Sequence, residues 1–168
     1  MNSEDIVVSL ISMHGGELVG RTRLQKQAYL LDRCGGNLGL SFVYHHYGPY
    51  SFDLVDGLTD ACAEGRVDLE ERLGRYGVPY AIFRLAGNES SDRLGELPAA
   101  KVRPLIGRMA RASDIVLELA ATIVFLREEA GYPGDQAIEE TKARKPLKAT
   151  DHRIDQALAL LNDLDLRA

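Results

Sequence analysis

The sequence of 168 residues lacks tryptophan and has only two cysteines, Cys34 and Cys62. Two isolated cysteines cannot form the disulfide framework of small secreted domains, and they make no CxxC motif. No apolar run reaches the roughly 18 residues that a membrane-spanning helix needs. The N-terminal stretch MNSED is acidic and lacks the basic start of a signal peptide. These absences predict a cytoplasmic protein with no membrane partner.

A surplus of basic residues is also missing, because 20 lysines and arginines stand against 25 aspartates and glutamates and give a net charge of −5. Proteins that bind phosphate backbones usually carry a basic surplus, so the composition argues against a nucleic-acid partner unless a local patch outweighs it. What is present is ordinary for a globular protein: 45% hydrophobic and 27% charged residues. The chain is long enough to bury a sizeable core.

Two helices are predicted at the start of the chain. Ser3 is placed to cap the first helix, and Gly15 and Gly16 end it. Thr22 and Gln25 match a capping box at the start of the second, in which each side chain bonds the backbone amide of the other residue. An apolar stripe with helical spacing follows the box.

A corner is predicted next, in the stretch SFVYHHYGPYSFDL of residues 41–54. Residues 42–47 are aromatic and β-prone, which indicates a short extended segment. Gly48 and Pro49 break it, since a residue before proline avoids the helical region. Ser51 is then free to cap a helix that Gly65 ends. The crowded tyrosines and histidines are therefore interpreted as the way the chain turns from a strand into a helix.

The rest of the chain predicts a β-hairpin over residues 68–85 and four helices, near 99–111, 113–130 and 135–144 and after Thr150. The fold class is mainly α with some β. Residues 1–90 are expected to form a winged-helix-like module with a small β-hairpin as its wing. The helix over residues 51–65 takes the recognition-helix position. Residues 91–168 are expected to be a helical extension packed on the module, giving one compact domain.

The histidines do not predict a metal site. His45 and His46 are adjacent, so on a strand they point to opposite faces. His14 and His152 stand at helix ends, and no HExxH spacing occurs. One histidine of the pair is expected to lie under aromatic neighbours with a hydrogen bond and the other at the surface. We expect no metal and no cofactor.

The cysteines offer weak candidates for nucleophilic catalysis. Cys62 could in principle act with His45 or His46, but it falls on the apolar stripe of its helix and is interpreted as an inert core residue. Cys34 lies near a helix end, where it should be more accessible, yet no base accompanies it. We therefore expect no catalytic residue, although an enzyme with an unrecognised site remains an alternative.

Basic residues provide tentative sites for an anion or a nucleic acid. One group opens the second helix, where backbone amides already favour anions, and the other lies in the run TKARKPLKAT of residues 141–150. The alternative for both groups is a solvated surface paired with aspartate and glutamate. The candidates are Arg21, Arg23, Lys26, Lys142, Arg144, Lys145 and Lys148.

The helix in the recognition position argues against DNA binding. It reads SFDLVDGLTDACAEG and contains Asp53, Asp56, Asp60 and Glu64 but no basic residue. Carboxylates facing a groove would repel the phosphates. The wing adds arginines, but glutamates accompany them.

Two stretches carry a family resemblance: GRTRLQKQAYLL (20–31) and YHHYGPYSFDLVDGL (44–58). They resemble the YwgA-like group of uncharacterised prokaryotic proteins and, more distantly, the Panacea domain of antitoxins. The resemblance covers about residues 1–90, and the longer helical tail departs from the Panacea pattern. It implies a non-enzymatic interaction module without catalytic residues, and a partner protein that the module regulates or neutralises. The motif positions, for which the resemblance implies a structural role, are Leu24, Gln25, Lys26, Tyr47, Gly48, Pro49, Tyr50 and Ser51.

The resulting prediction is a macromolecule-binding protein whose partner is a protein, in a regulatory or antitoxin-like role. A winged-helix nucleic-acid binder is the alternative. We also expect a homodimer through the C-terminal helices, because the helix over 113–130 is apolar around most of its circumference. The competing interpretation is that this helix is the central core helix of a monomer.

Overall fold

The computed structural model describes residues 1–167 and contains seven α-helices and three small antiparallel sheets. No helix among these residues is both long and apolar enough to cross a membrane. The helices are α1 (Ser3–Met13), α2 (Arg21–Leu31), α3 (Phe52–Ala63), α4 (Ala99–Ala110), α5 (Asp114–Glu128), α6 (Asp135–Arg144) and α7 (Asp151–Asp163). The strands are β1 (Glu17–Val19), β2 (Val43–His45), β3 (Gly48–Tyr50), β4 (Val67–Leu73), β5 (Pro79–Leu85), β6 (Arg93–Leu94) and β7 (Leu97–Pro98).

The main sheet has the strand order β1-β5-β4, with both pairs antiparallel. Phe83 lies opposite Leu18 on one side and Leu69 on the other, and its side chain is fully buried. The predicted hairpin is therefore confirmed as β4 and β5. Strand β1 was not predicted, because three residues are too few to show the alternation that marks a strand.

Helices α1 and α3 cross at Gly57. A Cβ atom at this position would lie 2.4 Å from the carbonyl carbon of Ser3, so only glycine allows the helices to approach this closely. Leu54 and Ala61 lie buried on the same face of α3, whereas Cys62 is only half-buried. The buried stripe is thus rotated relative to the prediction, which placed Cys62 on it.

Helix α5 is the central helix of the chain, and every residue from Val116 to Leu126 is buried. It packs against α2, α6, α7 and β3. Its apolar circumference is therefore covered within a single chain, as in the core-helix alternative. The structure removes the reason for expecting a dimer through this helix. The hydrophobic core joins α5 to residues of the first 90 positions in one continuous cluster.

Several predicted caps are confirmed. Ser51, Ser113 and Thr150 each cap a helix, and their side chains accept hydrogen bonds from the amides of Leu54, Val116 and Arg153. Helix α6 has the predicted bounds.

Three local predictions at the start of the chain are wrong. The cap of α1 is Asn2, not Ser3, and its side chain accepts a hydrogen bond from the Asp5 amide. Thr22 does not cap α2, which begins at Arg21 after Gly20 with φ +99°. The Gln25 side chain bonds a distant segment instead of closing a capping box.

Two segments contain more strand than predicted. Residues 43–50 form a hairpin of β2 and β3, so Gly48 and Pro49 begin a strand where the prediction had only a break. The polar stretch after Gly87, predicted to be a loop, contains β6, which pairs with β7.

Candidate functional site

The corner is the segment of residues 47–51, and it is held by a side chain of α2. The Gln25 amide nitrogen donates to the Ser51 carbonyl oxygen at 2.9 Å, and its oxygen accepts from the Ser51 amide at 2.8 Å. Both residues are buried, so these bonds satisfy backbone groups that water cannot reach. Gln25 thereby bonds both backbone polar groups of Ser51, the residue that caps α3.

The next residue of α2 makes a second connection to the corner. The Lys26 ammonium group donates to the Pro49 carbonyl oxygen at 2.6 Å and is 1% exposed. Leu24, one position earlier, lies in the core. The three adjacent residues of the LQK motif therefore connect the core, the Ser51 cap and the Pro49 carbonyl. The two stretches LQK and YGPYS of this chain are therefore in direct contact.

Gly48 fits the corner against α5. Its φ is +84°, and a Cβ atom would lie 2.4 Å from Oγ1 of Thr122. The Thr122 hydroxyl is fixed by donating to the Glu118 carbonyl at 2.7 Å. Backbone conformation and close approach therefore both require glycine at this position.

Beneath the corner lies a lysine cluster, defined as Lys26, Lys145 and Lys148 around the Glu118 carboxylate. Glu118 is 2% exposed and accepts from Nζ of Lys145 at 2.7 Å and of Lys148 at 2.8 Å. Burial lowers the pKa of Lys26 to about 8. The negative charge of Glu118 opposes this shift, and the positive charges of Lys145 and Lys148 add to it. Three ammonium groups face one carboxylate, so the cluster has an excess of positive charge.

A pocket of about 230 Å³ opens beside this cluster at the protein surface. Glu118, Arg144 and the 145–148 loop line this pocket. His46, which is exposed, lines it from the β2–β3 turn. The pocket thus joins the turn of the corner hairpin to the basic loop before α7.

An aromatic surface adjoins the pocket. We call it the corner surface and define it as Val43, His45, Tyr47, Tyr50 and Phe52. The His45 and Tyr50 rings stack with centroids 4.9 Å apart, and Phe52 meets the Tyr50 ring edge to face at 5.2 Å. Tyr47 is 52% exposed and Phe52 58% exposed. Nζ of Lys148 lies 4.5 Å from the centroid of Tyr47, which links this surface to the pocket.

The basic residues proposed to bind anions all have partners within the chain. Arg21 bonds Glu71 on the sheet, and Arg23 bonds Asp114 and the carbonyls of Met109 and Ala112 at the end of α4. The two arginines lie apart from the lysine cluster, whereas Lys26 belongs to it.

The basic run before α7 is paired in the same way. Lys142 pairs with Glu139 and Asp151, and Arg144 bonds Glu140 with its guanidinium over the Tyr44 ring. Of the seven candidates, Lys26, Lys145 and Lys148 are brought together in the lysine cluster, and Arg144 lines the pocket beside it. The residue at the centre of that cluster, Glu118, was not recognised as part of a site. The sequence feature that could have identified Glu118 is that it is the lone carboxylate within an apolar helical stretch.

The cysteines and histidines show no nucleophile pair. Cys34 is half-buried, not the accessible residue that was expected, and burial raises the pKa of its thiol to about 11. His45 lies under the Tyr50 ring as expected, but its buried Nδ1 atom has no hydrogen-bond partner among the described atoms. No three histidine, cysteine or acidic side chains of residues 1–167 gather into a possible metal site.

The chain is similar in sequence to a protein of Bacillus subtilis (strain 168) named uncharacterized protein YwgA. The two are 25% identical over 150 residues, which cover 89% of this chain and 89% of YwgA. No family model matches the chain. The similarity extends beyond the first 90 residues into the helical tail and supports a YwgA-like relationship.

Proposed function

We propose that the chain is a non-enzymatic protein-interaction module of winged-helix type that binds a partner protein through the corner surface. The order α1, β1, α2, α3, β4, β5 and the sheet β1-β5-β4 support the winged-helix assignment. In this arrangement α3 takes the recognition position, and β4 with β5 forms the wing. The relation to the Panacea domain and the antitoxin-like role belong to the same proposal.

The observation that carries the proposal is the exposure of aromatic side chains on a rigid support. Tyr47 and Phe52 leave about half of their surface open to solvent. Gln25, Lys26 and the Gly48 contact fix the backbone beneath them. Large, pre-ordered aromatic side chains lose little entropy on binding and dominate protein interfaces.

The neighbouring pocket defines the chemistry of the partner. Lys148 reaches from Glu118 to the Tyr47 ring, at the boundary between the positive cluster and the aromatic surface. A carboxylate of the partner placed here would offset the excess of ammonium groups over carboxylates. An apolar side chain next to that carboxylate would pack on Tyr47 or Phe52. The expected partner therefore presents an acidic residue beside an apolar one.

The nucleic-acid alternative has less support. Asp56, Asp60 and Glu64 on α3 are exposed, and phosphates would approach them closely. Arg21 and Arg23 would first have to break their ion pairs with Glu71 and Asp114. An enzymatic function lacks a paired nucleophile and base among the described residues.

Photo-crosslinking in cells tests the proposal. A photoreactive phenylalanine analogue in place of Phe52 should give one discrete adduct with another protein. The same analogue at Arg103, an exposed position on α4, should not. Lys148→Glu should remove most of that adduct by reversing the charge beside Tyr47, whereas Lys142→Glu should leave it.

An adduct that forms equally from position 103, or that survives Lys148→Glu, would contradict binding at the corner surface. Fluorescence anisotropy with duplex DNA near physiological salt tests the alternative. Submicromolar binding that is weakened by Arg21→Ala and Arg23→Ala would replace the protein-binding proposal with the nucleic-acid one.

A further inference from the structure

Strand β4 is an open edge of the main sheet. Its only paired strand within residues 1–167 is β5. The hydrogen bonds that flank the pair, from the Ala86 amide to Arg66 and from the Gly74 amide to Val78, show that even-numbered residues of β4 bond to β5. The backbone groups of Leu69, Glu71 and Leu73 therefore point away from the sheet.

The hairpin that carries this edge exposes apolar side chains. Leu69 is 43% and Leu73 74% exposed, and the tip residues Tyr76 and Val78 are 88% and 67% exposed. The strand contains no proline, and its four charged residues carry both signs, so they can pair across an antiparallel contact instead of only repelling a second strand. Unpaired backbone groups and exposed apolar side chains thus lie along the same edge.

We propose that two copies of the chain pair through β4, antiparallel, around a twofold axis at Glu71. The two three-stranded sheets then become one six-stranded sheet. Leu69 of each copy lies opposite Leu73 of the other, on one face. Glu70 lies opposite Arg72 of the other copy, on the other face. Each opposite-charge and apolar pair forms twice because the contact is symmetric.

Other symmetric registers of the strand are less complementary. With the axis at Leu69, Asp68 would face Glu70 of the other copy twice. An axis at Glu70 would place Leu69 opposite Glu71 of the other copy, and one at Arg72 would place Leu73 opposite Glu71, so neither register pairs the leucines. Like charges directly opposite each other destabilise a strand pair. In the proposed register only Glu71 meets its own copy, and each Glu71 already pairs with Arg21 at 2.8 Å.

The hairpin tips extend the contact beyond the strands. Continuing the same register places Tyr76 of one copy beside Arg66 of the other, just before the start of its β4. Edge pairing alone buries little surface. By symmetry each copy contributes one Tyr76, and the packing of these two side chains enlarges the buried area of the interface. The corner surface belongs to the β2–β3 sheet and stays free, so this inference goes beyond the proposed function and does not depend on it.

Cysteine crosslinking tests the proposed register of the two β4 strands directly. In a Cys34→Ser, Cys62→Ser background, Glu71→Cys should form an intermolecular disulfide, because paired Cα atoms about 5.5 Å apart lie within disulfide range. Leu69→Cys and Leu73→Cys should crosslink poorly alone but efficiently when the two proteins are mixed. A crosslinked fraction at Glu71→Cys no greater than that of Leu147→Cys, an exposed position outside the hairpin, would overturn the proposal.

Light scattering coupled to size exclusion supplies the second readout. The wild-type chain at about 100 µM, well above a micromolar dissociation constant, should have twice the 18.5 kDa mass of one chain. Leu73→Asp should give the mass of one chain with an unchanged far-UV spectrum, and Leu147→Asp should remain dimeric. A single-chain mass for the wild type would overturn the proposal, even if the crosslink at Phe52 is found. The dimer without that crosslink would contradict only the protein-binding proposal.

Discussion

The corner and the β4–β5 hairpin, which is the wing of the proposed winged-helix arrangement, both contain networks of charged side chains, but these networks lie in opposite environments. Under the corner, Glu118 is 2% exposed and bonds Lys145 at 2.7 Å. On the wing, Glu70 bonds Arg72 and Arg84 at 2.5 Å, with side chains 38–52% exposed. The distances are similar, so geometry does not distinguish the two networks. Exposure to solvent distinguishes them, because water screens the exposed pairs and would hydrate either partner if the other were removed.

The two regions differ in the same way in their glycines. Gly48 in the corner and Gly77 in the wing turn both have positive φ values, +84° and +71°. A side chain at Gly48 would strike Thr122, whereas nothing lies within 4 Å of one at Gly77. The corner is thus constrained by its neighbours and the wing only by its own backbone.

Removing the central carboxylate of each network should have the largest effect and the clearest contrast. Glu118→Gln leaves the buried Lys26 and Lys145 and the partly exposed Lys148 without their counter-charge and should cost about 3–5 kcal/mol of unfolding free energy. Glu70→Gln should leave the urea midpoint within experimental error, since water hydrates Arg72 and Arg84. Equal midpoint shifts for the two variants would show that burial does not separate the networks.

The glycine comparison should give the next largest effect. Gly48→Ala combines a left-handed backbone with a steric clash and should destabilise the protein by about 3 kcal/mol, against about 1 kcal/mol for Gly77→Ala. Both values come from urea denaturation. Adding Thr122→Ala should recover part of the loss at position 48 and none at position 77. Additive losses in the Gly48→Ala, Thr122→Ala double variant would show that the clash is not the cause.

The lysine cluster should make stability depend on pH. Because burial lowers the folded-state pKa of Lys26 to about 8 from 10.5, the unfolded chain binds more protons between these values. Stability from this group therefore rises as pH increases from 8 to 10.5, by up to about 1 kcal/mol per pH unit. Lys26→Met should lack this rise.

The test is the difference in unfolding free energy between wild type and Lys26→Met across that range, which removes the contributions of other titrating groups. Cys34 contributes in the opposite direction, since its thiol pKa is raised, and it is common to both proteins. A constant difference from pH 8 to 10.5 would contradict a lowered pKa for Lys26.

The smallest effect is expected at the helix cap of the corner. Ser51→Ala removes the oxygen that accepts the Leu54 amide at 3.3 Å and should cost about 1 kcal/mol. Thr150→Ala, which removes the matching cap of α7, is the control and should cost a similar amount. A loss of several kcal/mol at Ser51 alone would mean that the hydroxyl also supports the Gln25 contact.

Local patterns predicted the elements whose causes lie within a few residues. The caps at Ser51, Ser113 and Thr150, the bounds of α6 and the β4–β5 hairpin all follow from capping chemistry and periodicity. The cap of α1 and the strands β1, β3, β6 and β7 were missed, because neighbouring polar residues compete as caps and strands of two or three residues show no period.

The sequence by itself determined the predominance of helices, the helix start at Ser51 and the low count of cysteines, since these depend on residue type and near neighbours. Only the tertiary structure decided that Gln25 holds Ser51, that Glu118 bonds Lys145 and Lys148 and that α5 is covered within one chain. The partners of these residues lie 26 to 30 positions away along the chain. A side chain's environment at such separations is set by packing, and packing decides whether a charged group is buried and paired or exposed to water.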